Sequence, residues 1–597
     1  MAILLRRGTA ATPAIPVTPA TPAMPAVIAV LAVLALSTLA VSWTLAPLLA
    51  RGTSAVGPTS GDPLFTLWIL EWGAAAWTRG LAGFWDAPFF FPARETIVLS
   101  DHMLLPALLH LGFRALGASP ALAHNLLVIL SFPLTAWAAY ALLRRATRAP
   151  RGIAAALALA VTCAPWRWGQ LVHLLMIWAP GPLLSLWAFD RVLARPGARR
   201  ATTFVAAELV TLLSGCYLAY LTHLALLFVL AVRASRRGFL RKLRRGALPL
   251  AAAAGVVAIV GFTVYEPYLS ARRAHGEKRR PQEIRGFGAS TTDWLTPSPR
   301  NLYFDVLPET WHRAERDLFP GLLLAGAAIA GATIGAFSRW SPLVRHRRLP
   351  MPPLGRALVV AGGTFALLAN AEIFLLVARV VPGLDSMRVP SRGQLFVLVA
   401  LAVFAARALH AVQRGARTPT RRALLAAAVG GLLAVDLVAK PIDPGDVYEL
   451  ETKAPPHLIW LGRPAVAAVA VFPMTGSHIE GQRMWRQRWH GRPLANAYSS
   501  YLPAPFTYLR SRCRTPENRL LPRCADALSE LGISHAVVED AWYAHPGAAI
   551  GNRIEAAVRA DATDRFHLEF FDAEALVFSV LPPPATSSTP PAERDEE

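Results

Sequence analysis

The sequence predicts an all-α polytopic membrane domain of about eleven crossings, with an interfacial helix in its first outer loop, followed by a small α/β domain outside the bilayer. Three observations lead there. Hydrophobic residues make up 54% of the 597 residues and charged ones only 16%, a composition foreign to soluble domains. Apolar stretches near or above the roughly 18 residues that cross a bilayer recur through 25–440 and stop there. The net charge of +22 is gathered mostly into short connectors between those stretches.

The connectors are 6–7, 144–151, 191–200, 233–245, 339–356 and 407–422. They hold about 27 Lys and Arg with Asp190 the single acid beside them, which is the cytoplasmic-loop bias of the positive-inside rule. The charge therefore reports topology and argues against nucleic acid as a partner.

Residues 1–24 repeat Pro, Thr and Ala, cannot pack a core, and read as a disordered cytoplasmic tail. The first span, 27–49, exceeds a signal-peptide core and ends without an A-x-A site, so it is expected to remain as an anchor. With basic connectors on one side, helices between them must come in pairs. Only one of 103–116 and 121–143 can then cross; 103–116 has about 14 residues with Pro106, His110 and Arg114 inside it, and should lie along the interface.

The same parity places spans near 152–165, 171–190, 202–214, 217–232, 247–265, 319–337, 357–378, 393–411 and 422–439, with outer loops 51–120, 266–318 and 379–392. The break SGCY at Ser214 to Tyr217 is tolerable in a membrane only where it lines a protein cavity. Beyond the 25–440 domain, 441–580 alternates strand-like VAAVAVFP, SHAVVED, FHLEFFD and ALVFSVL with helix-like CADALSELG, an extracytoplasmic α/β domain. The stretch 581–597 reads as a disordered tail. Cys513 and Cys524 could pair in an oxidising space, with free thiols the open alternative.

No nucleotide-phosphate loop, H-E-x-x-H zinc motif or G-x-S-x-G elbow occurs. Polar groups instead gather at outer helix ends. Asp62 is followed by Pro63 and an apolar run, the pattern of a helix N-cap, and a carboxylate there also suits general-base work beside the bilayer. Glu71 reads as surface. Asp101 and His102 close the same loop, either as site residues or as a second cap with a polar neighbour. Gln170 and His173 share one helical face at an outer end and are costly in lipid unless paired or functional. Arg388 and Arg392 in SMRVPSRGQ have guanidinium forks that match phosphate oxygens, or act as snorkelling anchors. Tyr217, Tyr265, Glu266 and Asp317 mark other outer ends.

A first span, a loop opening with Gly61 and Asp62, then WDAPFFFP, the interfacial SDHMLLPALLHLGFRALG and a span ending in arginine-rich cytoplasm resembles the GT-C superfamily of integral-membrane glycosyltransferases. Downstream, WGQLVHLL, LFPG at 318–321 and VPGLDSMRVPSR look like a bacterial branch of it with a terminal extracytoplasmic α/β domain; the likeness covers most of 25–580. The resemblance implies an enzyme of the bacterial cytoplasmic membrane, its N-terminus cytoplasmic and its C-terminal domain outside. A sugar on a polyprenyl phosphate or pyrophosphate would be transferred with inversion to an envelope glycan, lipid or protein, with Asp62 as general base. Asp101 and His102 would be further site residues, and Arg388, Arg392, His173 and Gln170 would bind substrate. A divalent metal is compatible with this class but not indicated by any ligand motif. A transporter or lipid-handling protein, and a non-catalytic envelope scaffold, are the rival readings.

Overall fold

The computed structural model describes residues 23–59, 61–275, 279–306, 308–313, 315–337, 351–416, 418–475, 478–499, 501–513, 522–539 and 565–582. The tails expected at 1–24 and 581–597 lie almost wholly outside these.

Five of the described helices are long and apolar enough to cross a bilayer: Ala26–Thr44, Pro120–Thr147, Cys216–Ala234, Ala247–Arg273 and Pro390–Gly415. The pair Pro353–Leu368 and Ala371–Ala378, bent by 105°, makes a sixth when taken as one broken span. The expected count of about eleven is thus not reached by helix length and apolarity. One expected span is too short: Arg151–Thr162 has 12 residues. The stretch expected at 171–190 is divided into Leu174–Ile177 and Pro180–Ala194, where Pro180 and Pro182 open a new helix and cannot continue the old one.

Helices differ in what surrounds them. Ala23–Thr44 leaves Val27, Ile28, Leu31, Leu39 and Trp43 exposed, as does Ala247–His275 with Ile259 and Phe262. Apolar side chains bare all round a helix belong against lipid. Gln394–Gly415, by contrast, is buried centrally against Leu322–Phe337 and Pro353–Leu368. Gly331 allows that approach: a Cβ there would come within 2.0 Å of the Phe404 carbonyl oxygen, the close contact that small residues permit between membrane helices.

The first loop carries helix Asp62–Trp77 and the 12-residue Leu104–Ala115, too short to span and amphipathic, as expected for an interfacial element. Glu71 is no lone surface acid. Its Oε1 meets His110 Nε2 at 2.7 Å and Arg114 Nε at 3.2 Å, clamping these two helices together.

The C-terminal part forms a four-stranded sheet in the order β3-β4-β6-β5, from β3 (Val469–Phe472), β4 (His535–Glu539), β5 (Phe566–Phe571) and β6 (Ala575–Val580). β3 and β4 are parallel, so the chain must cross over between them, and helices Ile479–His490, Ala504–Cys513 and Pro522–Glu530 occupy that stretch. Cys513 and Cys524 are joined as a disulfide. The domain is sewn onto the first loop. β1 (Ala55–Val56) pairs with β2 (Tyr448–Glu449), and Phe89 bridges to Leu494. One apolar cluster runs continuously from Trp68 and Phe90 of the loop to Phe506 and Phe578 of the domain.

Candidate active site

At the end of the bundle away from the basic connectors lies a cavity of about 950 Å³. Its wall takes Asp62 from the first helix of the loop, Asp101 from the segment before Leu104–Ala115, His173 and Tyr217 from helix starts, Tyr265 from within Ala247–His275, and Arg388 and Arg392 from the third loop. Tyr498 and Tyr501 of the C-terminal domain close it. Residues spread over more than 400 positions of sequence meet here because the domain packs onto the first loop: Tyr498 and Asp62 are 436 residues apart.

Asp62 does not cap its helix. The helix starts at Asp62 itself, with Gly61 preceding it and no side-chain cap bond, which corrects the capping expectation. The carboxylate instead takes the Tyr498 hydroxyl on Oδ2 at 3.3 Å and stands 3.6 Å from His173 Nε2. Its Oδ1 has no hydrogen-bond partner among the described residues, and a third of the side chain is exposed. Burial, then the Asp62 charge, push the Tyr498 phenol above its ordinary range, so it stays a donor.

His173 Nε2 also stands 3.5 Å from Glu315 Oε1, so the imidazole sits between two carboxylates. Gln170 fixes its orientation. The Gln170 amide nitrogen donates to Glu315 Oε2 at 3.2 Å, which turns Gln170 Oε1 toward His173 Nδ1 at 3.1 Å. The reversed amide would aim one oxygen at another, so Glu315 sets the amide and the amide makes His173 Nδ1 the donor.

Glu315 was not reached from the sequence. Its side chain is 8% exposed and ion-paired with Arg392, whose Nε donates to Glu315 Oε2 at 3.2 Å. Burial alone would raise its carboxyl; the Arg392 charge, then His173, overcome this and hold it at about 2. Its backbone is left-handed, φ 66°, and Ser391 Oγ donates to its carbonyl at 2.8 Å. A non-glycine residue kept in that region by surrounding contacts is a mark of functional sites.

The cations divide. Arg392 is neither a snorkelling anchor nor a free phosphate ligand: it is buried, bound to Glu315, and stacked 5.1 Å over the Tyr217 ring. Arg388 is looser, its Nε 3.9 Å from Glu283 and its guanidinium 4.9 Å over Phe287, with 31% of the side chain exposed on the cavity. Arg272 and Arg279, absent from the sequence reading, also face the cavity. Arg272 pairs with Asp385 at 2.7 Å and Arg279 lies 3.4 Å over the Tyr501 ring.

Asp101 and His102 part company. Asp101 lines the cavity and accepts the Tyr217 backbone N–H at 3.0 Å, the capping alternative realised on a distant helix. Gly215 leaves room for it, since a Cβ there would lie 2.9 Å from Asp101 Oδ1. This is why the SGCY break exists at the cavity wall. His102 is fully buried behind the wall, its Nδ1 taking the Leu104 N–H at 3.3 Å, and burial lowers it to about 4. His102 is not among the residues that line the cavity. Asp317 pairs with His312 at 2.9 Å, away from these groups. Among the described residues no three His, Cys, Asp or Glu side chains stand together as a metal-ligand set.

The fold is similar to that of solved membrane glycosyltransferases. A mutant form of the mycobacterial arabinofuranosyltransferase AftD is similar with a TM-score of 0.57 and 15% identity, covering 94% of this chain and 42% of that one. The unmutated enzyme gives 0.55 and 15% over 94% and 40%. The oligosaccharyltransferase of Archaeoglobus fulgidus gives 0.46 and 12% over 93% and 73%. The chain spans about two fifths of the length of the arabinofuranosyltransferase it matches. No protein-family model and no curated protein sequence matches it.

Proposed function

We propose that the protein is a membrane glycosyltransferase that moves a sugar from a polyprenyl phosphate or pyrophosphate to an acceptor outside the cytoplasm. One observation carries this reading: a carboxylate with an unengaged oxygen, Asp62, shares a single cavity with Arg388 at the end of the bundle opposite the basic connectors. By the positive-inside bias that end is extracytoplasmic.

Asp62 takes the proton of the acceptor hydroxyl as its oxygen attacks the anomeric carbon. The carbon–oxygen bond to phosphate breaks on the opposite side, its electron pair leaves with the lipid phosphate, and the anomeric centre inverts. Gln170 holds the His173 ring beside the Asp62 carboxylate. Arg388 meets the departing phosphate with its guanidinium. The cavity wall includes Leu269, 46% exposed on the lipid-facing helix Ala247–His275, which gives a prenyl chain a path from the bilayer. Six tyrosines on the wall offer faces and hydroxyls to a sugar.

The test reconstitutes the full chain with a panel of polyprenyl-phosphate sugars and an envelope extract as acceptor. Asp62→Asn should insert and elute as the parent does and lose transfer by about 10²–10⁴-fold. Full activity in that variant removes Asp62 from the reaction.

A further inference from the structure

The opposite end of the bundle holds a second cavity, of about 580 Å³, which the transfer reaction does not use. Nine basic side chains and one acid, Asp190, line it. Asp190 is buried, with its side chain 1% exposed, and both of its oxygens are taken: Arg145 Nε donates to Oδ2 at 2.7 Å and Arg233 Nε to Oδ1 at 2.7 Å. These bonds tie together the ends of Pro120–Thr147, Pro180–Ala194 and Cys216–Ala234, so the concavity is braced. They also exhaust the only carboxylate on its lining. Arg148, Arg195, Arg200, Arg236, Arg237 and Lys242 face the same space with no carboxylate partner among the described residues.

Like charges gathered in one hollow repel one another and draw a counter-ion into it. Guanidinium forks match phosphate oxygens in pairs, and a basic pocket between helix ends at the membrane edge is where a lipid phosphate is reached. Leu193, Phe239 and Leu354 on the same lining supply apolar surface beside the charges. We propose that this braced arginine cavity binds a phosphate group, either that of an anionic lipid headgroup or a soluble phosphate. A plain solvated basic face would need neither the hollow nor the buried Asp190 brace.

The experiment uses the full chain in detergent and native mass spectrometry, with phosphatidylglycerol, phosphatidylcholine, and inorganic pyrophosphate as separate probes. The triple variant Arg195→Gln, Arg236→Gln, Arg237→Gln changes exposed side chains that brace nothing. The control Arg421→Gln, Arg422→Gln removes charge outside this cavity. The triple variant should bind phosphatidylglycerol or pyrophosphate roughly ten-fold or more weakly, and the control should bind as the parent does. Loss confined to phosphatidylglycerol identifies the lipid as the source; loss confined to pyrophosphate identifies a soluble phosphate. Equal loss in triple variant and control, equal retention of phosphatidylcholine and phosphatidylglycerol by the parent, or binding of neither anion overturns the proposal.

Discussion

The two cavities are both lined by charge, yet they treat it in opposite ways. In the tyrosine-walled cavity Asp62 faces His173, Glu315 holds Arg392, Asp385 holds Arg272, and Glu283 stands by Arg388. In the arginine cavity two cations share Asp190 and the rest have no carboxylate among the described residues. A site that performs chemistry needs its dipoles and charges fixed before the substrate arrives. A site that only holds a polyanion can leave its charge open for the ligand to neutralise. The sharpest way to break the contrast is Asp62→Asn, which removes the proposed proton acceptor and keeps the shape. Transfer should fall by about 10²–10⁴-fold, the usual worth of general-base catalysis, with unchanged elution and thermal stability. A comparable fall from any arginine-cavity variant would abolish the distinction.

Next in size is the compensated pair itself. Glu315→Gln leaves Arg392 buried beside a neutral amide, which costs about 3–5 kcal/mol for a pair of this kind. The expected readout is a clear drop in melting temperature, while Glu315→Asp recovers part of it. Acid should expose the same coupling. The Glu315 carboxyl is held at about 2, below its ordinary 4.5. A depressed folded value means the contribution is complete above pH 4.5 and lost as pH falls toward 2. Between those limits the parent should lose stability more steeply than Glu315→Gln; identical slopes would mean that Glu315 is not the titrating group.

The sequence showed the ends of this arrangement more readily than its middle. Asp62 and Arg388 stand at the borders of long apolar runs, where a charge is conspicuous. Glu315 sits in a loop of mixed charge, and its distinguishing signal, a left-handed backbone, has no residue-type signature when the residue is not glycine or asparagine. Its place three residues before LFPG was the one available hint. Tyr498 could not be reached at all, because its approach to Asp62 depends on how a whole domain docks. Helix length among the described residues does not reach the expected eleven crossings for a related reason: apolar composition marks burial, and a short helix such as Arg151–Thr162 is buried among other helices without being long enough to span. The short helix Leu104–Ala115 was legible because its length and internal arginine are local properties.

The smallest effect separates the two arginines of the third loop. Arg388 has its guanidinium over Phe287 and only a distant carboxylate, so little of the fold depends on its charge. Arg388→Gln should leave melting unchanged and raise the KM for the lipid-linked donor roughly three- to ten-fold, the scale of one charge-assisted hydrogen bond. The effect should shrink at high salt, because a third of the side chain is exposed and screened. Arg388→Lys keeps the charge and loses the fork, so it should fall between the two. Arg392→Gln should behave otherwise, lowering stability by orphaning Glu315. If the two substitutions gave the same melting loss and the same kinetics, the division between a loose phosphate ligand and a buried brace would be wrong.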